Sequence, residues 1–179
     1  MNGAVQLRPA VPGDAAAIAT IHVRAWRHAY ASLLPDYVLD ELDAARWGAQ
    51  RADRMRAEGG PWSAEDHVAE LDGEIVGFTT VGRCRDADAD PDHGEIFAIY
   101  VDPDRWGSGI GQALIALAER RLRERGARRV VLWVLAGNDR ARRFYERAGY
   151  TTDGGTKPWV GERGESVPEI RYVKELGGR

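Results

Sequence analysis

The stretch DPDRWGSGIGQALIALAERR, residues 102–121, places three glycines within five positions and then continues as a helix. Glycine is a poor helix former, so the first turn of this helix must require residues without side chains for a structural or functional reason. Six apolar residues share one face of the predicted helix: Ile110, Ala113, Leu114, Leu117, Ala118 and Leu122. The run EIFAIYV, residues 95–101, is typical of a strand. A strand, a glycine turn and a helix N-terminus together favour phosphate binding, because the first helical amides have no intrahelical partner.

Three explanations of the glycines compete. A dinucleotide-binding fingerprint requires glycine or alanine at position 112, which is Gln112 here. A Walker A loop requires Gly-Lys-Ser or Gly-Lys-Thr, and the sequence contains neither. For the isolated motif, a glycine-rich turn without any ligand stays open as the third explanation.

Composition predicts one globular domain over residues 1–179, with 44% hydrophobic and 30% charged residues. The net charge of −3 favours neither a nucleic-acid nor a membrane partner. A single cysteine, Cys84, excludes an internal disulfide and a thiolate zinc cluster. The acidic run 86–92 lacks the glycine and glutamate of an EF-hand, so we expect no metal. No secretory signal and no apolar run near the ~18 residues of a membrane span are evident, which predicts a cytoplasmic protein.

The order of elements predicts a mixed α/β fold. A strand at VQLRP is followed by a helix behind Asp14, a plausible N-cap, and by a helical region from Val38 towards Arg56. Two strands flank the turn signal at Asp72-Gly73. After strand 95–101 and the glycine helix come a buried strand, VVLWVL, and a short helix in NDRARRFYERAGY. Two strands near residues 150–156 and 167–173 complete the pattern.

The segment 95–150 resembles the GCN5-related N-acetyltransferases, the GNAT family, in its strand, glycine loop, helix, next strand and Asn…Phe-Tyr-Glu…Gly-Tyr helix. The opening LRPAVPGDAAAIATIHVRAW resembles the family's first strand and helix. The resemblance implies an α/β (α+β mixed) fold. Its central sheet would be twisted and mostly antiparallel, with about seven strands, a parallel splayed pair and about four flanking helices.

The resemblance implies an acetyl-CoA-dependent N-acetyltransferase. Acetyl would pass directly, in a ternary complex, to an amine acceptor that is a small molecule or a protein amine. The alternative is a non-catalytic CoA-binding sensor or interaction module of the same fold. The last strands of relatives often pair across a dimer, so a homodimer is a further partner that the resemblance implies.

Cofactor-binding residues are carried over from the family motif. The pyrophosphate cradle would be Trp106, Gly107, Ser108, Gly109, Ile110 and Gly111. Trp106 departs from the family's Arg or Gln at that position. Backbone groups of Ile99, Tyr100 and Val101 would pair with the pantetheine arm. Asn138 would bond the pantetheine or cap the next helix, and Arg140, Arg142 and Arg143 could reach the CoA phosphates or form a solvated helix face.

Tyr145 matches the family tyrosine that protonates the leaving thiolate. A phenol of pKa about 10 is a weaker acid than a thiol of about 8.5. The site must therefore lower the phenol's pKa, or the proton must move as the C–S bond breaks. The alternative is a core aromatic beside Phe144.

Glu95 opens the strand 95–101 and is the candidate general base. Strand alternation predicts that it shares a face with Phe97, Ile99 and Val101. A surface charge at the strand end is the alternative, and His93 is a weaker candidate base. On the first helical hairpin, Trp26, His28 and Tyr30 are candidates for acceptor specificity or core residues.

Overall fold

The apolar patterns fold into seven strands and five α-helices in the computed structural model, which describes residues 4–57, 59–60 and 62–177. The elements are β1 Gln6–Pro9, α1 Ala15–Ala29, α2 Asp36–Asp40, α3 Ala44–Arg56, β2 Glu65–Leu71, β3 Glu74–Arg83, β4 His93–Val101, α4 Ile110–Glu124, β5 Arg129–Leu135, α5 Asp139–Arg147, β6 Thr151–Val160 and β7 Ser166–Glu175. Short 3-10 turns lie at Pro12–Asp14 and Pro103–Arg105. Within these ranges, no helix is long and apolar enough to cross a membrane.

The strands form one sheet in the order β1-β2-β3-β4-β5-β7-β6. Every neighbouring pair is antiparallel except β4 and β5, which run parallel. Their pairing joins His93–Glu95 to Arg129–Val131 and stops there, so the two strands diverge beyond Glu95. This confirms the predicted sheet of about seven strands with a splayed parallel pair.

The described residues form five α-helices where about four were expected, because the second helical region is divided. The chain leaves the helical conformation after Asp40 and starts a new helix at Ala44. Asp43 caps this helix, since its carboxylate accepts a hydrogen bond from the Arg46 amide at 3.0 Å. The first helix lacks such a cap: Asp14 precedes it as predicted, but its carboxylate accepts from the Val11 amide and the Arg8 guanidinium.

The β2–β3 hairpin turns at Asp72-Gly73, as predicted. Both residues have positive φ, 52° and 83°, which matches the twist of a two-residue hairpin turn. The last two strands are longer than predicted and turn between Val160 and Ser166.

The strand β4 contains a β-bulge that changes which side chains share a face. Thr80 pairs with Ala98 and the next residue, Val81, pairs with Ile96, so Phe97 is left as the extra residue. The predicted alternation is therefore wrong beyond Phe97. Glu95 pairs with Gly82 on the face of Tyr100, opposite to Ile99 and Val101.

Both faces of the sheet are covered by helices. On the α4 and α5 side, Ile96, Leu122 and Val130 are core residues at 4% exposure or less. On the other side, α1 buries Ile18 and Ile21 against Phe78 of β3. Because both faces are packed, the gap between β4 and β5 is an opening within the sheet and not a surface groove.

Candidate active site

A cleft of about 460 Å³ occupies the gap between the diverging strands. Its walls come from β4, β5, the loop before α4, and α5. Twelve of the predicted candidates line it: Tyr30, Ile99, Tyr100, Val101, Trp106, Gly107, Gly109, Gly111, Asn138, Arg140, Arg143 and Tyr145. Glu95, Ser108 and Ile110 do not. The fold thus brings the two halves of the predicted site together across the splayed strands.

The glycine loop ends in a helix without a side-chain cap. Gly107 and Gly109 have φ of 83° and 87°, a backbone conformation that favours glycine, and a Cβ on either would meet no atom within 4 Å. Gly109 precedes α4 and provides no side-chain hydrogen bond, whereas Asp43 caps α3 and Asn138 caps α5. The first amides of α4 are therefore available to a ligand, and the helix dipole favours an anion there.

Three residues of the predicted cradle differ in role from the two glycines. The Ser108 hydroxyl donates to the Arg105 carbonyl at 2.6 Å, so it is used within the loop. Ile110 is buried against Leu114 in the core, at 2% exposure. A Cβ on Gly111 would lie 3.2 Å from the Phe144 ring, so this glycine permits close packing of α4 on α5. Phosphate binding by Ile110 stays a prediction that concerns its backbone amide. The Ser108 amide also donates to the Arg105 carbonyl, at 3.4 Å, and phosphate binding by Ser108 stays a prediction.

Positive charge surrounds the same end of the cleft. Arg105, Arg140, Arg143 and Arg147 line it, and no Asp or Glu does. Within the described ranges, none of these four side chains forms an ion pair. Arg147 was not predicted from the sequence as a residue of the site, although it follows Arg143 at the helical spacing of four. Arg142 points elsewhere, since it donates to the Tyr172 hydroxyl and the Ala136 carbonyl, both at 3.2 Å.

Trp106 contacts one of these arginines and fixes its place beside the glycine loop. Its Nε1 donates to the Val101 carbonyl at 2.9 Å, and the Arg140 guanidinium lies 3.9 Å above its ring. His28 contacts the ring edge at a centroid distance of 4.7 Å. His28, predicted as an acceptor-specificity candidate, therefore lies at the glycine loop. Where the family usually has Arg or Gln, this chain has an indole that positions an arginine.

The open edge of β4 offers backbone groups to the cleft. The Asp102 amide donates to Val76 of β3, so by the alternation of an antiparallel ladder Tyr100 also directs its backbone to β3. Ile99 and Val101 then direct theirs towards the gap. This geometry fits the predicted pairing of Ile99 with an extended ligand arm. At Val101 the carbonyl already accepts from Trp106 Nε1, so the predicted pairing there concerns the amide.

Tyr145 lines the cleft and has 9% of its surface exposed. Burial raises the pKa of its hydroxyl above the ordinary value of a phenol. The surroundings of Tyr145 thus shift its pKa in the direction opposite to the first expected condition, a lowered pKa of the phenol. Its ring packs beside those of Phe144 and Tyr150, at centroid distances of 5.1 and 5.9 Å, so the core environment that was the alternative is also present.

Asn138 combines the two roles predicted for it in one place. Its Oδ1 accepts a hydrogen bond from the Ala141 amide at 3.1 Å and caps α5. The same residue lines the cleft. The capping role is confirmed, and a bond to the pantetheine stays a prediction.

Glu95 is held by Arg85. Its Oε1 accepts from the guanidinium at 2.9 Å, and its Oε2 accepts from the Arg85 backbone amide at 3.0 Å. The residue is 3% exposed, so the alternative of a solvated strand-end charge is wrong. Arg85 also lies over the Phe97 ring, 4.0 Å from its centroid.

An aromatic cluster of His22, Trp26, Tyr30, Trp47 and Tyr100 lies on the α1 side of the sheet. The Tyr100 hydroxyl accepts from Trp26 Nε1 at 2.9 Å and lies 3.2 Å from the Tyr30 hydroxyl. The His22 ring packs 4.6 Å from Tyr100 and 4.7 Å from Trp47, and burial lowers its pKa to about 3. Sequence reasoning missed His22 and the side chain of Tyr100, because only the tertiary fold brings α1, α3 and β4 together.

The sheet, its splayed parallel pair and the uncapped helix beside the gap define the fold class of the GNAT N-acetyltransferases. The sequence model of the Acetyltransferase (GNAT) family matches residues 15–150, and the chain belongs to this family.

Individual proteins resemble this chain in sequence or in fold. A probable N-acetyltransferase of Mycobacterium tuberculosis is 30% identical over 168 residues, which cover 94% of this chain and 92% of the relative. A mycothiol acetyltransferase of Cellulomonas flavigena is 40% identical over 106 residues, 55% of this chain and 30% of that protein. Among solved structures, the PaiA N-acetyltransferase of Thermoplasma acidophilum, crystallised with coenzyme A, superposes with a TM-score of 0.77 at 15% identity, covering 96% of this chain and 99% of that one.

Proposed function

We propose that this protein transfers the acetyl group of acetyl-CoA directly to an amine acceptor within a ternary complex. The observation that carries the proposal is the uncapped N-terminus of α4 beside a cleft that four arginines and Tyr145 line together. Membership of the GNAT family and the coenzyme A complex of the PaiA relative support the choice of ligand.

The described residues fit acetyl-CoA in two places. The α4 amides and the four cleft arginines suit phosphate groups, and a Cβ at Gly107 or Gly109 would fill space that the cradle keeps open. The backbone of Ile99 and Val101 suits the amides of an extended arm. The bound cosubstrate would supply the acetyl thioester and its thiol leaving group.

Tyr145 is the proposed acid. Because burial raises its pKa, it is protonated at neutral pH and has a proton to give. Since a free phenol is a weaker acid than a thiol, the transfer must accompany cleavage of the C–S bond, when negative charge builds on sulfur. The second condition set by the sequence analysis therefore stays as the proposed route.

Direct transfer is supported by the state of the chain's cysteine. Cys84 is buried and does not line the cleft, and burial raises the pKa of its thiol to about 11. A protonated thiol outside the cleft is a poor nucleophile for an acyl-enzyme. The proposed reaction accordingly has no covalent intermediate on the protein.

The test is thiol release from acetyl-CoA against benzylamine, spermidine, an aminoglycoside and an alanyl peptide. We expect acceptor-dependent release, and a fall of at least about tenfold in kcat for Tyr145→Phe. Tyr150→Phe is the matched control, because it removes a hydroxyl from a buried neighbouring tyrosine that does not line the cleft. Equal losses in both variants would contradict the role of Tyr145. Binding of CoA without turnover on any amine would favour the non-catalytic module instead.

A further inference from the structure

Tyr30 and Tyr100 form a pair of hydrogen-bonded tyrosines, called the tyrosine pair below, on the α1 side of the sheet. Both residues line the cleft, as Tyr145 does. Their hydroxyl oxygens lie 3.2 Å apart, and either hydroxyl can donate the hydrogen bond between them. Trp26 Nε1 donates to the Tyr100 oxygen at 2.9 Å. Side-chain hydrogen bonds therefore join α1 to β4 at the wall of the cleft.

The tyrosine pair has hydrogen-bonding capacity left over. A hydroxyl has one hydrogen to donate and two lone pairs that accept. The two bonds described above use one of the pair's two hydrogens and two of its four lone pairs. No other group in the described part of the chain bonds to either hydroxyl, so one hydrogen and two lone pairs remain. Tyr30 is only 9% exposed, and buried hydrogen-bonding capacity is costly unless a bound group supplies the partners.

The position of Tyr30 is fixed before any ligand binds. Its backbone carbonyl accepts hydrogen bonds from the amides of Leu33 and Leu34, both at 2.9 Å. Its ring meets that of Trp26 edge to face, at a centroid distance of 5.1 Å. A hydroxyl that is held from both ends of its residue can orient a reacting group without reorganising.

The tyrosine pair is uncharged at neutral pH. Burial raises the pKa of both hydroxyls, and the negative charge of Glu169 on β7 acts in the same direction. The other titratable groups that face the pair are His22 of α1, whose pKa burial lowers to about 3, and Tyr145 of α5. Neutral hydroxyls surrounded in this way bind a neutral polar group through hydrogen bonds and offer no countercharge to a cation.

We propose that the tyrosine pair binds the acceptor amine in its uncharged form, an inference that rests on the acetyl transfer proposed above. Water takes the proton of the ammonium form before the amine binds. One N–H of the neutral amine then donates to a free lone pair of the pair. The nitrogen keeps its own lone pair for attack on the thioester carbonyl.

The hydrogen bond to the tyrosine pair strengthens during the reaction. As the C–N bond forms, the nitrogen becomes positively charged, and a charged donor makes a stronger hydrogen bond than a neutral one. The C–S bond breaks, the sulfur takes the phenolic proton of Tyr145, and one of the nitrogen's two protons restores that phenol. An interaction that is stronger in the transition state than in the bound ground state raises kcat.

The wall beside the pair indicates the class of acceptor. α1 lines the cleft with Ala25, Ala29 and Tyr30, so two methyl groups lie next to the hydroxyls. Methyl groups favour an apolar stem and leave a second charge without compensation for its lost hydration. The acceptor class is therefore a primary amine on an apolar stem. Benzylamine is the probe, and spermidine, with its further charges, should be the poorer acceptor.

The kinetic test compares Tyr30→Phe with wild type. Tyr150→Phe is the matched control, because Tyr150 is equally buried and does not line the cleft. We expect kcat/KM for benzylamine to fall at least about tenfold in Tyr30→Phe, mostly through kcat, and to stay unchanged in Tyr150→Phe. The Kd for CoA and the slow hydrolysis of acetyl-CoA without amine should not change in either variant. A merely structural role of Tyr30 would lower hydrolysis and CoA affinity as well.

The pH profile of the wild type tests which form of the amine binds. If the uncharged form binds, kcat/KM for benzylamine should rise about tenfold per pH unit from pH 6.5 to 8.5, because the amine's own pKa is about 10. A plateau within this range would show that the protein itself takes the proton from a bound ammonium ion. That result would overturn the inference.

A binding test avoids the reaction. Benzyl alcohol is an uncharged isostere of benzylamine, and its O–H can donate to the same lone pair. Calorimetry with the CoA-saturated protein should give the same Kd at pH 6.5 and 8.5, and binding about two- to tenfold weaker in Tyr30→Phe. Equal affinity in the two proteins, or full activity of Tyr30→Phe, would overturn the role of the pair while leaving acetyl transfer intact. Wild-type protein that binds CoA and acetylates no amine would instead overturn the proposed function and, with it, this inference.

Discussion

Replacing Gly109 by alanine tests whether the loop before α4 is shaped by its backbone or by a ligand. Gly109 has φ of 87° and precedes the helix, while Gly126 has φ of 91° and follows it. Neither glycine has an atom within 4 Å of where a Cβ would stand. The two substitutions therefore impose the same backbone strain in equally open surroundings, and they differ in that only Gly109 lines the cleft.

The stability cost follows from the shared conformation. An L-residue in the left-handed region costs about 1–2 kcal/mol, so both variants should lose that amount of unfolding free energy. In a chain of this length, the midpoint of thermal unfolding should fall by about 2–8 °C in each. Differential scanning calorimetry measures this directly.

The effect on ligand binding should separate the two variants. A Cβ at Gly109 would occupy the cradle and displace at least one amide–phosphate hydrogen bond, which is worth about 1.5–3 kcal/mol when the acceptor is charged. The Kd for CoA should therefore rise about 10- to 150-fold in Gly109→Ala and stay within about twofold in Gly126→Ala. Pantetheine, which lacks the pyrophosphate, should bind both variants equally. Equal CoA affinity in the two variants would refute the phosphate cradle.

Two further predictions concern stability. Asp66→Asn removes a 2%-exposed carboxylate that Arg51 and Arg54 both contact. Urea denaturation should show that the free energy of unfolding falls by about 3–5 kcal/mol. The control Asp53→Asn, whose carboxylate is 81% exposed, should lose no more than about 0.5 kcal/mol. Burial lowers the pKa of His22 to about 3. Below pH 6.5 the unfolded chain therefore binds a proton that the folded chain does not bind, and the free energy of unfolding decreases as the pH decreases. Between pH 7.5 and 5, wild type should lose about 2 kcal/mol more than His22→Gln, and equal losses would contradict a neutral buried imidazole.

The sequence predicted local backbone structure correctly where a particular conformation favours one residue type. The Asp72-Gly73 turn and the glycines before α4 were predicted, because positive φ is a property of a few consecutive residues. Tyr145 and Asn138 were found through the motif they share with the GNAT family, and the fold places both in the cleft.

The position of Glu95 illustrates where local reasoning fails. Alternation along EIFAIYV assumes a regular strand, but the register of β3 on β4 skips Phe97 and reverses the face. A bulge depends on the partner strand, so the sequence of one strand does not reveal it. The pairing of Glu95 with Arg85 is equally a product of that register.

By itself, the sequence determined the type and order of most elements and the turn glycines, since these depend on neighbours along the chain. The tertiary structure decided which side chains meet. The bulge at Phe97 decides which face of the sheet Glu95 occupies, and the end of β4–β5 pairing at Glu95 opens the cleft. Both are consequences of long-range strand pairing, whose free energy is shared among residues far apart in sequence.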